Sequence, residues 1–508
     1  VTSSKLGSAD VQSIPIAITA LSQEQLTATQ TAGGPDLVKQ VPNLTFTKTN
    51  FTGYSIQIRG IGTQAISVTT DPAVAVALND QPFIRNHFFE QEFYDVGQLE
   101  VLRGPQGTLY GRNATAGVVN LTTAKPTDQF EALASGEIGN YHQHRLEGMI
   151  NLPIVDDRLD IRIAGEWTKR QGYSFNDLTD QRIDGRDLWS SRVTIGLKPV
   201  EGVQAYLMWE HFSENDDRMR TSKQLCHRQP VQDVFGGDAA ATNPFGASTD
   251  IFNRANYGSQ GCQMSSLYSR EAFEVPNGFS LPYYFGASAV GAPAILDDPY
   301  ASRTQSRNLR VIETAFNPIY RVKNDIVELN ADYTISPALT LTSQTAFNHD
   351  FLWSMEDYNR FNTVAGAFAA TDDGISNANG GTACNTHGCR PTGTICDPQI
   401  GCSDRLVAED LSDEHAWQLS QEFRLASNFD GPLNFSLGGN YLHYETDEDY
   451  YVFINSLTAA VASNGTSCGA GGGCTPYVPG VSDNAPCLFK GFTLTNPALP
   501  HSPGVCAY

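Results

Sequence analysis

Residues 103–120 read RGPQGTLYGRNATAGVVN. Glycines stand at 104, 107, 111 and 117, with Arg, Tyr and Asn between them. Glycine adopts positive φ and lets another backbone approach closely, so this pattern predicts tight turns packed against neighbouring chain. A phosphate loop is a poor fit, because no Gly-Lys-Ser/Thr follows and the glycine spacing does not match G-x-G-x-x-G. Working outward, Gln98–Leu102 is a strand that runs into the glycine-rich stretch. Ala73–Leu78 is a continuous apolar strand, with Asn79-Asp80 starting its turn. Ser55–Arg59 alternates and ends at Gly60; Ile14–Thr19 is a further strand. Ser22 with Gln25 makes a capping box for a short helix through Thr29. Pro35–Gln40 predicts a helical turn stopped by Pro42. Residues 10–127 therefore read as a small α+β unit.

The rest of the chain alternates. Val327, Leu329, Ala331, Tyr333 and Ile335 oppose Glu328, Asn330, Asp332 and Thr334. Leu159, Ile161, Ile163 and Trp167 oppose Asp160, Arg162, Glu166 and Thr168. Trp417, Leu419, Phe423 and Leu425 oppose Gln418, Ser420, Glu422 and Arg424. One polar and one apolar face at period two is an antiparallel sheet between two different surroundings. About nine such strands are predicted, near 130–141, 142–154, 158–171, 187–199, 202–215, 324–336, 338–354, 414–427 and 432–447. Tight links follow the even-numbered strands. Long segments follow the third, fifth, seventh and ninth. That asymmetry belongs to outer-membrane barrels, with short periplasmic turns and long outer loops.

Composition agrees. The 508 residues carry a net charge of −22, which disfavours nucleic acid as a partner. Residues 1–127 hold eight Lys/Arg and nine Asp/Glu, so the acidity lies almost wholly in residues 128–508. The longest apolar run is short, and a spanning helix needs roughly 20 residues. All ten cysteines fall in segments assigned outside: Cys226 and Cys262; Cys384, Cys389, Cys396 and Cys402; Cys468, Cys474, Cys487 and Cys506. Disulfides are expected for all ten. Only Cys226–Cys262 has no rival inside its loop. His387 lies between Cys384 and Cys389, but no C-x-x-C pair exists, so no metal site is expected. G-x-S-x-G, H-E-x-x-H and Walker patterns are absent, and no catalytic residue or enzyme activity is expected. Val1-Thr2-Ser3-Ser4-Lys5 is not a secretory signal, so a mature or trimmed start is expected.

Residues 103–120 resemble the plug-domain hallmark of TonB-dependent outer-membrane transporters. Ile14–Leu26, Ile56–Thr63, Val74–Phe83 and Asp95–Leu102 resemble four further plug motifs in the family's order. The turn Asn79-Asp80-Gln81 stands where the family usually has Val-Asp-Gly. The resemblance implies a plug inside a transmembrane antiparallel barrel of about 22 strands, of which about nine are present. It divides the chain into an extended segment 1–9, a plug 10–127 and the first part of a barrel 128–508. Outer loops are expected at 216–323, 355–413 and 448–508. The polypeptide is expected to continue beyond Tyr508, or a second chain to supply the missing strands.

The resemblance implies active transport of a scarce bulky solute across the bacterial outer membrane, most commonly a ferric siderophore. Iron would enter only as part of the cargo, with no cofactor. Arg59 and Arg103 match the family's plug arginines that pair with barrel glutamates, and Glu422 resembles one barrel partner. Arg85, Asn86, His87, Phe88 and Phe89 are expected at the plug apex, where cations, amides and aromatics suit a cargo with π-faces and oxyanions. Val1 and Thr2 resemble the end of a box that contacts a TonB-type coupling protein in the periplasm. Outer-membrane lipid is the other expected partner. The alternative is a surface receptor whose large disulfide-linked loops bind a cell-surface protein without transport.

Overall fold

The computed structural model describes residues 16–48, 54–63, 69–84, 90–229, 261–278, 298–300, 302–367, 382–385, 388–391, 394–397 and 399–456. Strand β1 (Ala17–Leu21) leads into helix α1 (Gln23–Ala28). The capping box forms reciprocally: Gln25 N donates to Ser22 Oγ at 3.3 Å, and Ser22 N donates to Gln25 Oε1 at 2.9 Å. A 3-10 turn covers Gly34–Lys39. Strands β2 (Leu44–Lys48), β3 (Tyr54–Ile58) and β4 (Ile61–Gly62) make a small antiparallel sheet. Then follow β5 (Val74–Leu78), β6 (Gln81–Phe83), β7 (Val96–Arg103), helix α2 (Gly107–Tyr110) and β8 (Gly117–Thr123).

These strands form a five-stranded sheet in the order β1-β7-β8-β5-β6. β5 and β8 are parallel neighbours at its centre, and all five residues of β5 are buried. An unbroken Val-Ala-Val-Ala-Leu suits a strand covered on both faces. Val74, Val76, Leu78, Leu99, Val101 and Val119 point to one core, and Ala75, Ala77, Leu102 and Val118 to another. The stretch 103–120 is not turns throughout, because its last residues are the start of β8. Its glycines are used as expected. Gly104 has φ +120°, and a Cβ on Gly117 would sit 2.3 Å from the Leu102 carbonyl oxygen. Gly104 N donates to Ala116 O at 2.9 Å and Gln106 N to Ala114 O at 2.8 Å, pinning the stretch to itself.

Beyond residue 130 the principal strands are β9 (Glu131–Gly139), β10 (Gln143–Val155) and β11 (Leu159–Arg170). Short strands β12 (Ser174–Asn176) and β13 (Gln181–Ile183) pair within one connection. β14 (Arg186–Leu197) and β15 (Val203–Asp216) follow. The next connection carries β16 (His227–Arg228), β17 (Cys262–Gln263) and β18 (Val311–Ile312). β19 (Ile319–Ser336) and β20 (Leu339–Asp357) come next. β21 (Thr382–Asn385), β22 (Gly388–Pro391), β23 (Ile395–Asp397) and β24 (Gly401–Ser403) are two small hairpins. β25 (Ala408–Ser427) and β26 (Ser436–Ile454) complete the described chain.

Nine strands form one antiparallel sheet in the order β26-β25-β20-β19-β15-β14-β11-β10-β9. They are the nine expected from alternation. Several run longer than expected on the side of the long connections: β25 begins at Ala408 rather than near 414, and β26 ends at Ile454 rather than near 447. β26 also begins later, at Ser436, so Leu433 and Phe435 precede it. A strand of about 10 residues crosses a bilayer, so strands of 18 to 20 residues stand well clear of it. Links lie at 156–158, 198–202, 337–338 and 428–435 on one side, and the long connections lie on the other.

The sheet is inside out relative to a soluble protein. Trp209, Val327, Phe347 and Leu419 are cross-strand neighbours on the outward face, each 37–43% exposed. Their in-strand neighbours Met208, Glu328, Ala346 and Gln418 are buried. An apolar outward row is what strands of outer-membrane barrels carry, and the second row faces the α+β unit. No helix among the described residues is long and apolar enough to cross a membrane, which says nothing of a β-barrel.

Candidate functional site: the polar contact between plug and wall

The α+β unit touches the nine-stranded wall along two segments. The first is the β5–β6 hairpin. Asn79 and Asp80 both have positive φ, 46° and 70°, as a tight two-residue turn requires. Asn79 Nδ2 donates to Glu328 Oε2 of β19 at 2.7 Å, while its Oδ1 accepts from Thr123 N at 3.0 Å and Lys125 Nζ at 3.4 Å. Asp80 Oδ1 accepts from Asn120 Nδ2 at 2.7 Å and Tyr110 OH at 3.1 Å. The departure from Val-Asp-Gly thus gives the turn an amide that reaches the wall. Gln81 Nε2 donates to Gln344 Oε1 of β20 at 3.0 Å, and Ser420 Oγ of β25 donates to Gln81 Oε1 at 3.0 Å. The Gln418 amide brackets the hairpin's exit: its Nε2 donates to Pro82 O at 2.8 Å, and its Oε1 accepts from Ile84 N at 3.0 Å. Lys125 lies beside this cluster, and burial pulls its ammonium below the ordinary lysine range, opposed by the Glu328 carboxylate.

The second segment is Glu90-Gln91-Glu92-Phe93-Tyr94-Asp95, just before β7. Four arginines of the wall, and Arg218 just past the end of β15, grip it. Arg218 Nη1 donates to Glu90 Oε2 at 2.8 Å, and Arg186 Nη2 to Glu90 O at 3.3 Å. Arg145 of β10 pairs with Glu92 and donates to Phe93 O at 3.0 Å. Arg162 of β11 holds Asp95 with two nitrogens, Nη2 to Oδ1 at 2.6 Å and Nε to Oδ2 at 2.9 Å. Arg192 of β14 donates to Asp95 O at 3.2 Å and lies 4.4 Å over the Tyr94 ring. Wall carboxylates share the same arginines: Glu210 with Arg192 at 2.6 Å, Glu131 with Arg162 at 3.1 Å, and Glu214 with Arg186 at 2.8 Å and Arg218 at 2.5 Å. Planar guanidinium groups suit this work, because they bridge two carboxylates without losing charge. Burial, opposed by the Arg192 charge, drives the Tyr94 phenol well above its ordinary value.

The resemblance implies plug arginines paired with barrel glutamates; the ion pairs described above are a different set, joining plug carboxylates to wall arginines. Arg59 follows β3 at φ +54°, with its Nη1 3.9 Å from the point where a Cβ on Gly104 would sit. Arg103 is half-buried at the end of β7. Glu422 is on the inward face of β25, as alternation requires, and accepts from Arg424 Nη1 on its own strand at 3.2 Å. With Tyr110, Gly111, Arg112 and Asn440 it lines a cavity of about 270 Å³ against the glycine-rich stretch.

Val1, Thr2, Arg85, Asn86, His87, Phe88 and Phe89 lie outside the described residues, as do Cys468, Cys474, Cys487 and Cys506. Cys226 and Cys262 form a disulfide with Cα atoms 5.1 Å apart. Cys384 stands opposite Cys389 in β21–β22, and Cys396 opposite Cys402 in β23–β24; Cys402 is disulfide-bonded. No cluster of three or more metal-ligating side chains occurs among the described residues.

The arginine grip was missed from sequence. Its signal was present: a carboxylate-rich hexapeptide between two predicted strands, and arginines at inward positions of β10, β11 and β14.

Residues 10–118 match the family model described as the TonB-dependent Receptor Plug Domain. The chain is 26% identical over 197 residues to the pesticin receptor of Yersinia pestis, covering 39% of this chain and 28% of the relative. It is 27% identical over 175 residues to the iron-regulated outer membrane virulence protein of Vibrio cholerae, covering 32% and 26%. The matches thus span about a quarter of the length of these relatives. The crystal structure of the siderophore receptor PiuA from Acinetobacter baumannii superposes with a TM-score of 0.52 at 13% identity, over 87% of this chain and 47% of that one. The open form of the ferric-catecholate import receptor Fiu from E. coli gives 0.52 at 14%, over 86% and 52%. These likenesses establish a shared fold.

Proposed function

We propose that this chain, which carries a TonB-dependent receptor plug domain, serves in energised uptake of a bulky iron complex across the bacterial outer membrane. One observation carries the reading: a matched plug fold is seated by polar contacts on the inward face of a wall whose outward face is apolar. A solute passing such a wall must displace the plug, and an interface of ion pairs and amides can be released and remade in water. A further relative, 24% identical over 179 residues, is named a ferric-pyoverdine 358 receptor of Pseudomonas putida, and that name supports iron complexes as the class of cargo. The plug apex around Arg85–Phe89 and the pairing of Arg59 or Arg103 with Glu422 are part of the same proposal, as is a periplasmic coupling partner.

The test is accumulation of radiolabelled ferric complexes, hydroxamate, catecholate and carboxylate, in cells with and without the protein. Uptake of at least one should require the protein and collapse when a protonophore removes the proton gradient. Protein-dependent binding that the protonophore leaves unchanged, with no accumulation, would favour a surface receptor instead.

A further inference from the structure

The connection between β15 and β19 builds a cavity of its own. The Cys226–Cys262 disulfide ties its two arms together, and Cys226, Val275, Tyr300 and Phe361 pack into a small apolar cluster beneath it. Beside that cluster opens a cavity of about 420 Å³, within the range that holds small ligands. Four arginines line it: Arg228, Arg270, Arg303 and Arg307. Such a concentration of cations stands out in a chain with a net charge of −22.

Two of the four are committed to the loop. Arg228 pairs with Asp298 and donates to Pro276 O at 2.9 Å, and Arg303 pairs with Glu313. The other two are not. Arg307 lies 5.6 Å over the Phe273 ring, and Arg270 has no carboxylate partner among the described residues. Glu274 is the lining carboxylate. Its Oε2 is engaged by His227 Nδ1 at 2.9 Å and Arg228 N at 2.8 Å, and that backbone N–H holds its carboxyl below the ordinary range.

A second observation comes from Gln305, which lines the same cavity and is 8% exposed. Its Nε2 donates to Glu274 O at 2.7 Å, leaving a buried Oε1 with no hydrogen-bond partner. An unmet buried acceptor is costly, and a ligand hydroxyl would satisfy it. Phe273 and Tyr300 add apolar ring surface to the lining.

We propose that this cavity binds a small aromatic hydroxy acid. Arg270 and Arg307 take its carboxylate, Phe273 and Tyr300 meet its ring, and Gln305 Oε1 accepts from its hydroxyl. The site lies in an outer connection, apart from the contact between plug and wall. It does not depend on the uptake reading, since binding is measured on the purified chain and uptake in cells.

The experiment is calorimetric titration of the detergent-purified, disulfide-intact protein with dihydroxybenzoate, benzoate and inorganic phosphate. Dihydroxybenzoate should bind saturably, benzoate about tenfold more weakly for want of the hydroxyl, and phosphate more weakly still. The double substitution Arg270→Ala/Arg307→Ala should lower dihydroxybenzoate affinity at least about tenfold. Both side chains sit at exposed positions, so thermal unfolding should be unchanged. Gln305→Leu should weaken dihydroxybenzoate and leave benzoate unaffected. Absence of saturable binding, equal affinity in the double variant, or phosphate binding as tightly as dihydroxybenzoate would each overturn the proposal.

Discussion

The plug's interior and the surface it turns to the wall are built from opposite materials. Inside, Val74, Val76, Leu78, Leu99, Val101 and Val119 exclude water. Towards the wall, Glu90, Glu92 and Asp95 meet five arginines, and Asn79 and Gln81 meet Glu328, Gln344 and Ser420. Among the described residues, Met208 and Ile326 are the wall members of the plug's apolar cluster. The difference separates two kinds of attachment. Apolar burial holds at about 25 cal/mol per Å² and has no substitute in water. Ion pairs and amide contacts exchange for hydration at small net change. On the proposed function, a plug made this way stays folded while its seat is released.

The largest expected effect tests the interior. Leu99→Ala removes a fully buried side chain at the centre of the plug sheet and should cost about 2–5 kcal/mol. Differential scanning calorimetry and limited proteolysis should show the plug lost before the wall. If the plug kept its protease resistance, the interior would not be what holds it.

The grip itself comes next. Arg162→Met leaves the nearly buried Asp95 carboxylate without its guanidinium and should destabilise by about 3–5 kcal/mol. Adding Asp95→Asn should recover most of that loss. Asn is chosen because residue 95 has φ 46°, a conformation it tolerates. Amide hydrogen exchange across 90–95 reads the result. A double variant as damaged as the single would mean that the charges contribute strong net attraction, erasing the contrast with the interior.

A smaller change follows at the hairpin. Gln418→Ala strips the bracket from Ile84 N and Pro82 O, and should cost about 1–3 kcal/mol. Exchange at Ile84 should quicken while the β5 amides stay protected. Alkaline pH offers a gentler probe. Burial keeps the Tyr94 phenol neutral well above its ordinary range, and its hydroxyl has no hydrogen-bond partner. An unfolded tyrosine ionises near pH ~10, so the fold's advantage is intact below that and declines as pH rises towards the native value. Tyr94→Phe should remove this alkaline loss in a thermal-melt pH series at little cost at neutral pH. Smallest of all, Glu422→Gln removes the charge that Arg424 and, on the proposed pairing, a plug arginine share, and should shift stability by about 1 kcal/mol. A larger loss would reveal a further role for Glu422 against the plug.

Much of this architecture was legible beforehand, for a physical reason. Side chains on a strand alternate, and a strand between lipid and a polar interior records both media in its sequence. That is why the pattern around Val327 and Glu328 placed β19, and why nine strands could be counted. The capping box at Ser22 and Gln25 was legible because both its hydrogen bonds lie within one turn. Less was legible where long-range pairing decides. Residues 117–120 looked like the tail of a glycine-rich turn, yet they are the start of the central strand β8, held between β5 and β7.

The candidate site shows the same division most clearly. By itself the sequence determined which residues face inward, where the turns fall and that Cys226 and Cys262 have no rival inside their loop. It also placed Glu422 on the inward face. It did not determine which inward charge meets which plug residue. Asp95 and Arg162 are 67 positions apart, and Gln81 and Ser420 are 339 apart. Their meeting depends on the height at which the plug sits against the wall and on the register of every strand between. Those are properties of the assembled sheet, because a one-residue slip in any strand would turn its arginine away from the plug and onto the outward face.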